Sequence, residues 1–162
     1  MKWAAPLIGI LVVVTVVACG TDPDSDPGDE VASSGDTNDF GFKTSIITDP
    51  DGIYSIDDVT AAGWKLSEEI PADHVEGVSA VWFGYYQQRN LEVWIFASHD
   101  DAGRYGTRPA EDLVAEARVV AGVANKPRIQ FSAYGVVGNL VILCEFEIAV
   151  CENLASALPQ SR

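Results

Sequence analysis

Residues 20–42 contain almost no apolar side chains that could be buried in a core. The stretch consists mainly of Asp, Gly, Ser, Pro and Thr, with seven acidic side chains and no basic one. Segments of low hydrophobicity and high net charge do not bury enough apolar surface to offset the entropy lost on ordering. We therefore expect a disordered acidic tether here, and a single folded domain in residues 43–162, which are enough to form a core of their own.

An apolar segment precedes the tether. Lys2 is the only charged residue before Asp22, and residues 3–17 are apolar apart from Thr15. A short positive start, an apolar core and small residues before a cleavage site are typical of an export signal. The sequence therefore predicts that the chain leaves the cytoplasm.

The tetrapeptide VVAC, which ends at Cys19, resembles the lipobox of bacterial lipoproteins. The resemblance implies that residues 1–18 are a cleaved signal peptide and that Cys19 carries a lipid such as palmitate, with residues 19–42 as the lipidated tether. It implies a location at the cell membrane, facing outside the cytoplasm. Two alternatives also export the chain: an uncleaved anchor, because the uncharged run approaches the roughly 20 residues of a spanning helix, and an ordinary secretory signal.

The three cysteines fit this interpretation. If Cys19 carries lipid, Cys144 and Cys151 remain, at the end of a predicted strand and the start of a predicted helix. Such a corner brings two Cα atoms within the roughly 4.4–6.8 Å that a disulfide requires. The spacing is not C-x-x-C, which argues against a thioredoxin-like redox motif. We predict a structural disulfide between Cys144 and Cys151.

The net charge of −14 excludes one class of partner. Residues 43–162 hold 17 acidic and nine basic side chains, a net charge of −8. Nucleic-acid binding depends on a basic surface that neutralises phosphates, so nucleic acid is not an expected partner. An acidic domain is also not attracted to an anionic membrane face, so the lipid would hold the protein at the membrane.

Helix caps and strand patterns alternate through the domain. Ser55 and Asp58 match a capping box, and Gly63 is a natural helix end. Ser98 begins a second helix, which we expect to break and restart near Pro109. Runs of apolar, β-branched and aromatic residues predict strands at 78–86, 91–97, 129–134 and 140–144, followed by a last helix at 147–158. The sequence therefore predicts one α+β domain of order α-ββα-ββα, with one antiparallel four-stranded sheet and helices packed on one face.

This order of elements resembles a group of small uncharacterised bacterial lipoproteins. The likeness covers most of residues 53–160 and lies in the capped helix that ends at Gly63, the aromatic hairpin, and the stretches NLEVWIFASHDDA and GNLVILCEF. The resemblance implies the fold and the location. It implies no activity, because none is established for the group, and the cysteine pair is not expected throughout it.

Residues suited to catalysis or metal binding are few. The chain has two histidines, His74 and His99. His99 with Asp100 and Asp101 supplies candidate metal ligands, but a metal site usually needs three or four that converge, and acids in a first helical turn are explained by the helix dipole. Glu145 and Glu147 would share a face on an extended chain, and paired carboxylates can hydrolyse glycosides. Solvent exposure is the plainer interpretation of that pair. We predict no catalytic residue, no metal and no cofactor.

Aromatic residues are concentrated in the first hairpin. We expect Trp82, Tyr86, Trp94 and Phe96 to line one of its faces. If helices cover only one face of the sheet, several aromatic rings are left exposed, and exposed aromatic patches often mark binding surfaces. The alternative is that these rings belong to the core, where aromatic side chains supply much of the buried area.

Together these features favour a lipid-anchored extracytoplasmic binding or accessory module over an enzyme. Its partner would be a protein or a small molecule, bound through the aromatic face of the hairpin. One alternative is an envelope enzyme that uses carboxylates, with or without a metal. Another is a structural envelope protein that self-associates through the edges of its hairpins.

Overall fold

The structure is a computed structural model that describes residues 43–120 and 130–159, together with Gly35 and Thr37. The predicted signal peptide, Cys19 and the other residues of the predicted tether lie outside this description. In chain order the elements are β1 (Ser45–Thr48), α1 (Ile56–Ala61), β2 (Lys65–Ile70), β3 (Ala80–Tyr86), β4 (Arg89–Ile95), α2 (His99–Asp101), a π-helical turn (Ala102–Gly106), α3 (Thr107–Val120), β5 (Phe131–Val137), β6 (Leu140–Glu145) and α4 (Ile148–Ala157).

The six strands of the described residues form one mixed sheet in the order β1-β5-β6-β4-β3-β2. β1 runs parallel to β5, and every other neighbouring pair is antiparallel. The predicted α+β class is confirmed, and β3 to β6 correspond to the four predicted strands. The prediction of a purely antiparallel four-stranded sheet is wrong. It omits β1, which has only four residues, and β2, whose sequence KLSEEI is exposed along most of its length and lacks the pattern of a half-buried strand.

Helices cover both faces of the sheet. Leu140 and Ile142 of β6 pack into the same core cluster as α1 and α4, on what we call the α4 face. Val141 and Leu143 pack into the cluster that contains α3, on the α3 face. The prediction that helices lie on one face is therefore wrong. The sequence signal for two covered faces is the unbroken apolar run of β6, because a strand buried on both faces has no alternating polar positions.

The first helix begins and ends where the sequence predicts. The Ser55 side chain accepts a hydrogen bond from the backbone N–H of Asp58, whose carboxylate accepts one from the backbone N–H of Ser55. At the other end Gly63 has a φ of 99°, a conformation that favours glycine. The turn folds Trp64, which is 2% exposed, onto Gly84. A Cβ atom at Gly84 would come within 2.5 Å of the indole ring, so the close contact requires glycine there.

The second helix does not break at Pro109. It runs from α2 through the π-helical turn into α3. Proline has no N–H to donate to the carbonyl four residues earlier, here that of Tyr105, and its ring clashes with that carbonyl. The wider turn over Ala102–Gly106 accommodates this mismatch. It also brings Gly106 against the sheet, where a Cβ atom would lie 2.6 Å from Val141 Cγ2.

A disulfide joins Cys144 of β6 to Cys151 of α4, as predicted, with the Cα atoms 5.9 Å apart. Both residues are fully buried in the core on the α4 face. An ion pair between Lys43 Nζ and Glu152 Oε1, 3.1 Å apart, adds a second link to the same helix. The last helix is therefore fixed both to the centre of the sheet and to the start of the domain.

Candidate functional site

The four aromatic residues expected on one face of the first hairpin lie on two faces. In the β3–β4 register Trp82 is opposite Val93 and not opposite Trp94, so the two tryptophans point to different sides of the sheet. Trp82 and Tyr86 pack on the α4 face, whereas Trp94 and Phe96 pack on the α3 face. The structure does not bring these four residues together.

Three of these rings are buried. Trp94 is 0% exposed, Phe96 is 2% exposed and Tyr86 is 9% exposed, and Trp82 is half-buried. Their packing corresponds to the alternative in which the aromatic rings supply core area. A binding surface on this domain therefore depends mainly on other residues.

An acidic residue interrupts the apolar surface of β4. Glu92 lies on the α3 face, flanked in register by Phe83 on β3 and Leu143 on β6. Its side chain is only 13% exposed. Removing a carboxylate from water is costly, and an apolar residue of similar volume at such a position is often neutral or stabilising. The fold alone does not account for Glu92.

The indole ring of Trp94 fixes the Glu92 carboxylate. Trp94 Nε1 donates a hydrogen bond to Glu92 Oε1 at 2.6 Å. The contact forms because residues two apart on a strand point to the same face. It satisfies a buried indole N–H and one carboxylate oxygen. Burial raises the pKa of Glu92, while this hydrogen bond and the charge of His74 act in the opposite direction.

A half-exposed histidine lies next to this carboxylate. His74 Nδ1 is 3.0 Å from the carbonyl oxygen of Pro71, which assigns the ring proton of the neutral form to Nδ1. His74 Nε2 then faces Glu92 Oε1 at 3.9 Å, and the ring meets that of Trp94 edge-on, with centroids 5.9 Å apart. Val75, which is 5% exposed, anchors the loop. The histidine and the glutamate are thus adjacent, and the histidine ring is open to solvent.

Two aromatic residues of β3 lie next to Glu92 on the same face of the sheet. Phe83 is opposite Glu92 and Tyr85 is opposite Asn90, so Tyr85 is a diagonal neighbour of Glu92, about 7–8 Å away between Cα atoms. Tyr85 is 43% exposed, and its ring packs edge-to-face against Phe83 with centroids 5.4 Å apart. The Glu92 site, as we define it, consists of His74, Phe83, Tyr85, Glu92 and Trp94.

Glu145 and Glu147 do not form the carboxylate pair that an extended chain would give. Glu145 Oε2 accepts hydrogen bonds from the backbone N–H of Asn90 at 3.0 Å and from its side-chain amide at 2.7 Å. Phe146 has a φ of 71°, so the chain between the two glutamates is not extended. Glu147 is the exposed residue that precedes α4. The extended backbone on which the predicted pairing of Glu145 and Glu147 rests is therefore not present.

The second histidine belongs to a helix start. His99 Nδ1 is 2.9 Å from the carbonyl oxygen of Gly138, and the Ser98 side chain accepts a hydrogen bond from the backbone N–H of Asp101. Acidic residues in the first turn also interact favourably with the helix dipole. Within residues 43–120 and 130–159, no three His, Cys, Asp or Glu side chains come together as metal ligands would.

Sequence reasoning missed the Glu92 site, although part of its signal is visible. Glu92 is the charged residue within the otherwise apolar stretch LEVWI, two positions before Trp94. A charged residue inside a central strand indicates that its side chain has a polar partner in the folded protein. The approach of His74 is not readable from the sequence, because it depends on how the loop before β3 crosses the sheet.

No protein-family model, curated protein or solved structure compared with this chain matches it. In the part of the chain that the structure describes, none of the helices combines the length and the apolar composition needed to cross a membrane.

Proposed function

We propose that this chain is an exported lipoprotein, held at the cell membrane by lipid on Cys19 and facing outside the cytoplasm. The apolar segment after Lys2 and the VVAC tetrapeptide support the proposal. The Cys144–Cys151 disulfide supports it too, because disulfides persist in oxidising compartments. That pairing also leaves Cys19 available for lipid.

Replacing Cys19 by serine tests the anchor. We expect the wild-type protein in the membrane fraction of cells, and the Cys19→Ser variant to lose its lipid label and its membrane association. A variant that stays in the membrane without lipid would instead indicate an uncleaved anchor. A wild-type protein recovered entirely in the soluble fraction would indicate an ordinary secretory signal.

We further propose that the folded domain is a binding module and that it contacts its ligand or partner protein at the Glu92 site. The observation that carries this proposal is the largely buried carboxylate of Glu92, which opens toward solvent beside two half-exposed rings, those of His74 and Tyr85. Because an apolar side chain would serve the core at least as well, recognition explains the acid better than stability does.

The experiment compares the wild-type protein with two single variants, Glu92→Gln and Glu69→Gln, in intact cells. Glu69 is an exposed acid on β2 opposite Trp82, on the α4 face, so its replacement changes the net charge equally and leaves the Glu92 site intact. Cross-linking with mass spectrometry should recover one partner from wild type and Glu69→Gln, and lose it from Glu92→Gln. Native mass spectrometry makes the same comparison for a small ligand. Identical recovery from all three proteins contradicts the site assignment.

A second candidate function is catalysis by proton transfer. It is favoured by the pKa of Glu92, which burial raises, and by the neighbouring His74. A carboxyl group that holds its proton to a higher pH than an ordinary glutamate is better suited to act as a general acid. If the protein is an enzyme of this kind, the Glu92→Gln variant should retain the unreacted substrate, and wild type should yield the product. If it is a binding module, the Glu92→Gln variant should lose the ligand.

Within the described residues, neither hairpin has a free strand edge through which the protein could self-associate. Each strand of the two hairpins, β3 to β6, has a sheet neighbour on both sides. The outer strands are β1 and β2. Thr37 bridges to Lys43 just before β1, and β2 carries charged side chains and a bulge, which oppose edge-to-edge pairing. We therefore do not propose a self-associating structural role.

A further inference from the structure

We propose that the Glu92 site recognises an organic cation, an ammonium or guanidinium group that sits against the open oxygen of Glu92 and the ring of Tyr85. This inference rests on the proposed binding role and specifies the chemistry of what is bound. The cation belongs either to the Lys or Arg side chain of a partner protein or to a free amine. The probes described below separate these two sources.

The Glu92 carboxylate lacks the strong cationic partner that a buried carboxylate usually has. Among the described residues, its one ion-pair contact is with His74 at 3.9 Å, and no Lys or Arg side chain pairs with it. Its one hydrogen bond within these residues, from Trp94, ends on Oε1. Oε2 is therefore the position at which a ligand cation would add a charge-assisted hydrogen bond.

The aromatic rings of the Glu92 site suit an organic cation better than a metal ion. Cations bind over aromatic faces within about 6 Å of the ring centroid, and aromatic rings are a common means of recognising ammonium groups. Tyr85 supplies an exposed ring, and Phe83 packs against it edge-on. A metal ion would instead require several convergent oxygen or nitrogen ligands, and no such group occurs among the described residues.

The charge of the chain also favours a cationic ligand. The protein has a net charge of −14, of which residues 43–162 contribute −8. A field of this sign attracts cations during diffusional encounter and repels anionic competitors. On the same face as Glu92, β2 carries Lys65 and Glu68 and β6 carries Glu145, so these flanking strands add a net negative charge beside the site.

The test uses the purified full-length protein and four probes of defined chemistry: N-acetyl-lysinamide, N-acetyl-argininamide, N-acetyl-norleucinamide and putrescine. Norleucine is the uncharged counterpart of lysine, and putrescine is a free amine without peptide groups. The readout is the NMR resonance of the Trp94 indole N–H, which is bonded to Glu92 and is assigned by its loss in Trp94→Phe. We expect the cationic probes to shift this resonance and the norleucine probe to leave it unchanged.

Variants separate a specific site from general attraction to an acidic protein. Glu92→Gln keeps an oxygen for the Trp94 indole, so it should fold, and we expect it to lose at least about tenfold in affinity for the lysine probe. We expect Tyr85→Leu to lose a few-fold and Glu69→Gln, the charge-matched control, to bind as wild type does. Tighter binding of the lysine or arginine probe than of putrescine assigns the cation to a protein side chain, and the reverse assigns it to a free amine.

Three results would overturn the proposal: equal binding of the norleucine probe, unchanged binding by Glu92→Gln, or no binding of any cationic probe. The proposed binding role is tested by a different experiment, the in-cell cross-linking. If in-cell cross-linking still recovers a partner that depends on Glu92, the site is a binding site for another chemistry. If neither experiment depends on Glu92, both proposals fall.

Discussion

The side-chain amide of Asn139 hydrogen-bonds both backbone groups of Tyr54, which lies 85 positions earlier in the chain. The Tyr54 N–H donates to Asn139 Oδ1 at 2.6 Å, and Asn139 Nδ2 donates to the Tyr54 carbonyl oxygen at 3.1 Å. The same nitrogen donates to the Phe96 carbonyl oxygen at 2.9 Å. Asn139 is 2% exposed. One buried side chain therefore ties the segment before α1 and the end of β4 to the β5–β6 turn.

Removing this amide should be costly. We expect Asn139→Ala to lower the free energy of unfolding by about 2–4 kcal/mol, because three buried backbone groups lose their partner. Asn90→Ala is the matched control, since its amide binds Glu145 in a partly exposed position, and we expect it to cost about 1 kcal/mol. Urea unfolding followed by tryptophan fluorescence measures both. Equal costs would contradict a special role for the buried amide.

Two glycines of the π-helical turn should respond to alanine in opposite directions. A Cβ atom at Gly106 would lie 2.6 Å from Val141 Cγ2, whereas nothing lies within 4 Å of a Cβ atom at Gly103. We expect Gly106→Ala to destabilise the domain by about 1–3 kcal/mol through overpacking. We expect Gly103→Ala to be neutral or to stabilise it by up to about 1 kcal/mol, because alanine restricts the unfolded chain. Thermal unfolding followed by circular dichroism distinguishes them, and a similar loss from both would mean that the turn itself requires glycine.

The structural features that depend on residues close together in the sequence could be predicted from it. The capping box at Ser55, the helix end at Gly63 and the Cys144–Cys151 disulfide are all confirmed. The strand β2 was not predictable in the same way. Its exposed sequence contains no strand pattern, and it is a strand because β3 pairs with it, which is a contact that local propensity does not encode.

The predicted aromatic face failed because loop length sets the register of a hairpin. The β3–β4 loop has two residues, Gln87 and Gln88, with φ angles of 49° and 64°. An even number of loop residues places even-numbered positions of one strand beside odd-numbered positions of the other, so Trp82 is beside Val93. The predicted loop, residues 87–90, is also even in number, so it too places Trp82 and Trp94 on different faces. Neither glutamine belongs to the Asn-Gly pattern that identifies this turn from sequence, and a slip of one residue exchanges the faces.

The disulfide should contribute measurable stability. We expect the Cys144→Ala/Cys151→Ala double variant to lose about 2 kcal/mol from the larger entropy of the unfolded chain, with a further loss from the cavity left in the core. Guanidinium unfolding with and without reductant measures the first effect. Wild type should be destabilised by reductant, and the double variant should not respond to it. Cys19→Ser should unfold as wild type does, since Cys19 takes no part in the pair.

Asp58 provides a reference for how a helix-capping acid responds to pH. Hydrogen bonds from the side chain and the backbone of Ser55 lower the pKa of Asp58. The stabilisation by Asp58 is therefore present above the unfolded-state pKa and is lost as pH falls through the lower folded-state value. Asp58→Asn should accordingly unfold more easily than wild type at neutral pH, with a smaller difference in acid.

The pKa of Glu92 is shifted in the opposite direction to that of Asp58, so its effect on stability should have the opposite pH dependence. Burial raises its pKa in the folded state, so the folded protein holds this proton over a pH range in which the unfolded chain has released it. Stability therefore falls as pH rises from the ordinary glutamate pKa of about 4.3 to the raised value, and stays lower above it. We expect Glu92→Gln, which is neutral throughout, to melt above wild type near pH ~8 and at almost the same temperature near pH ~4. The other charged groups that face this side of the sheet, among them His74, Lys65, Glu68, Glu111 and Glu145, are common to both proteins. A melting-temperature difference that does not change with pH would mean that burial leaves the pKa of Glu92 unaltered, and would remove the basis for a proton-donating role at this site.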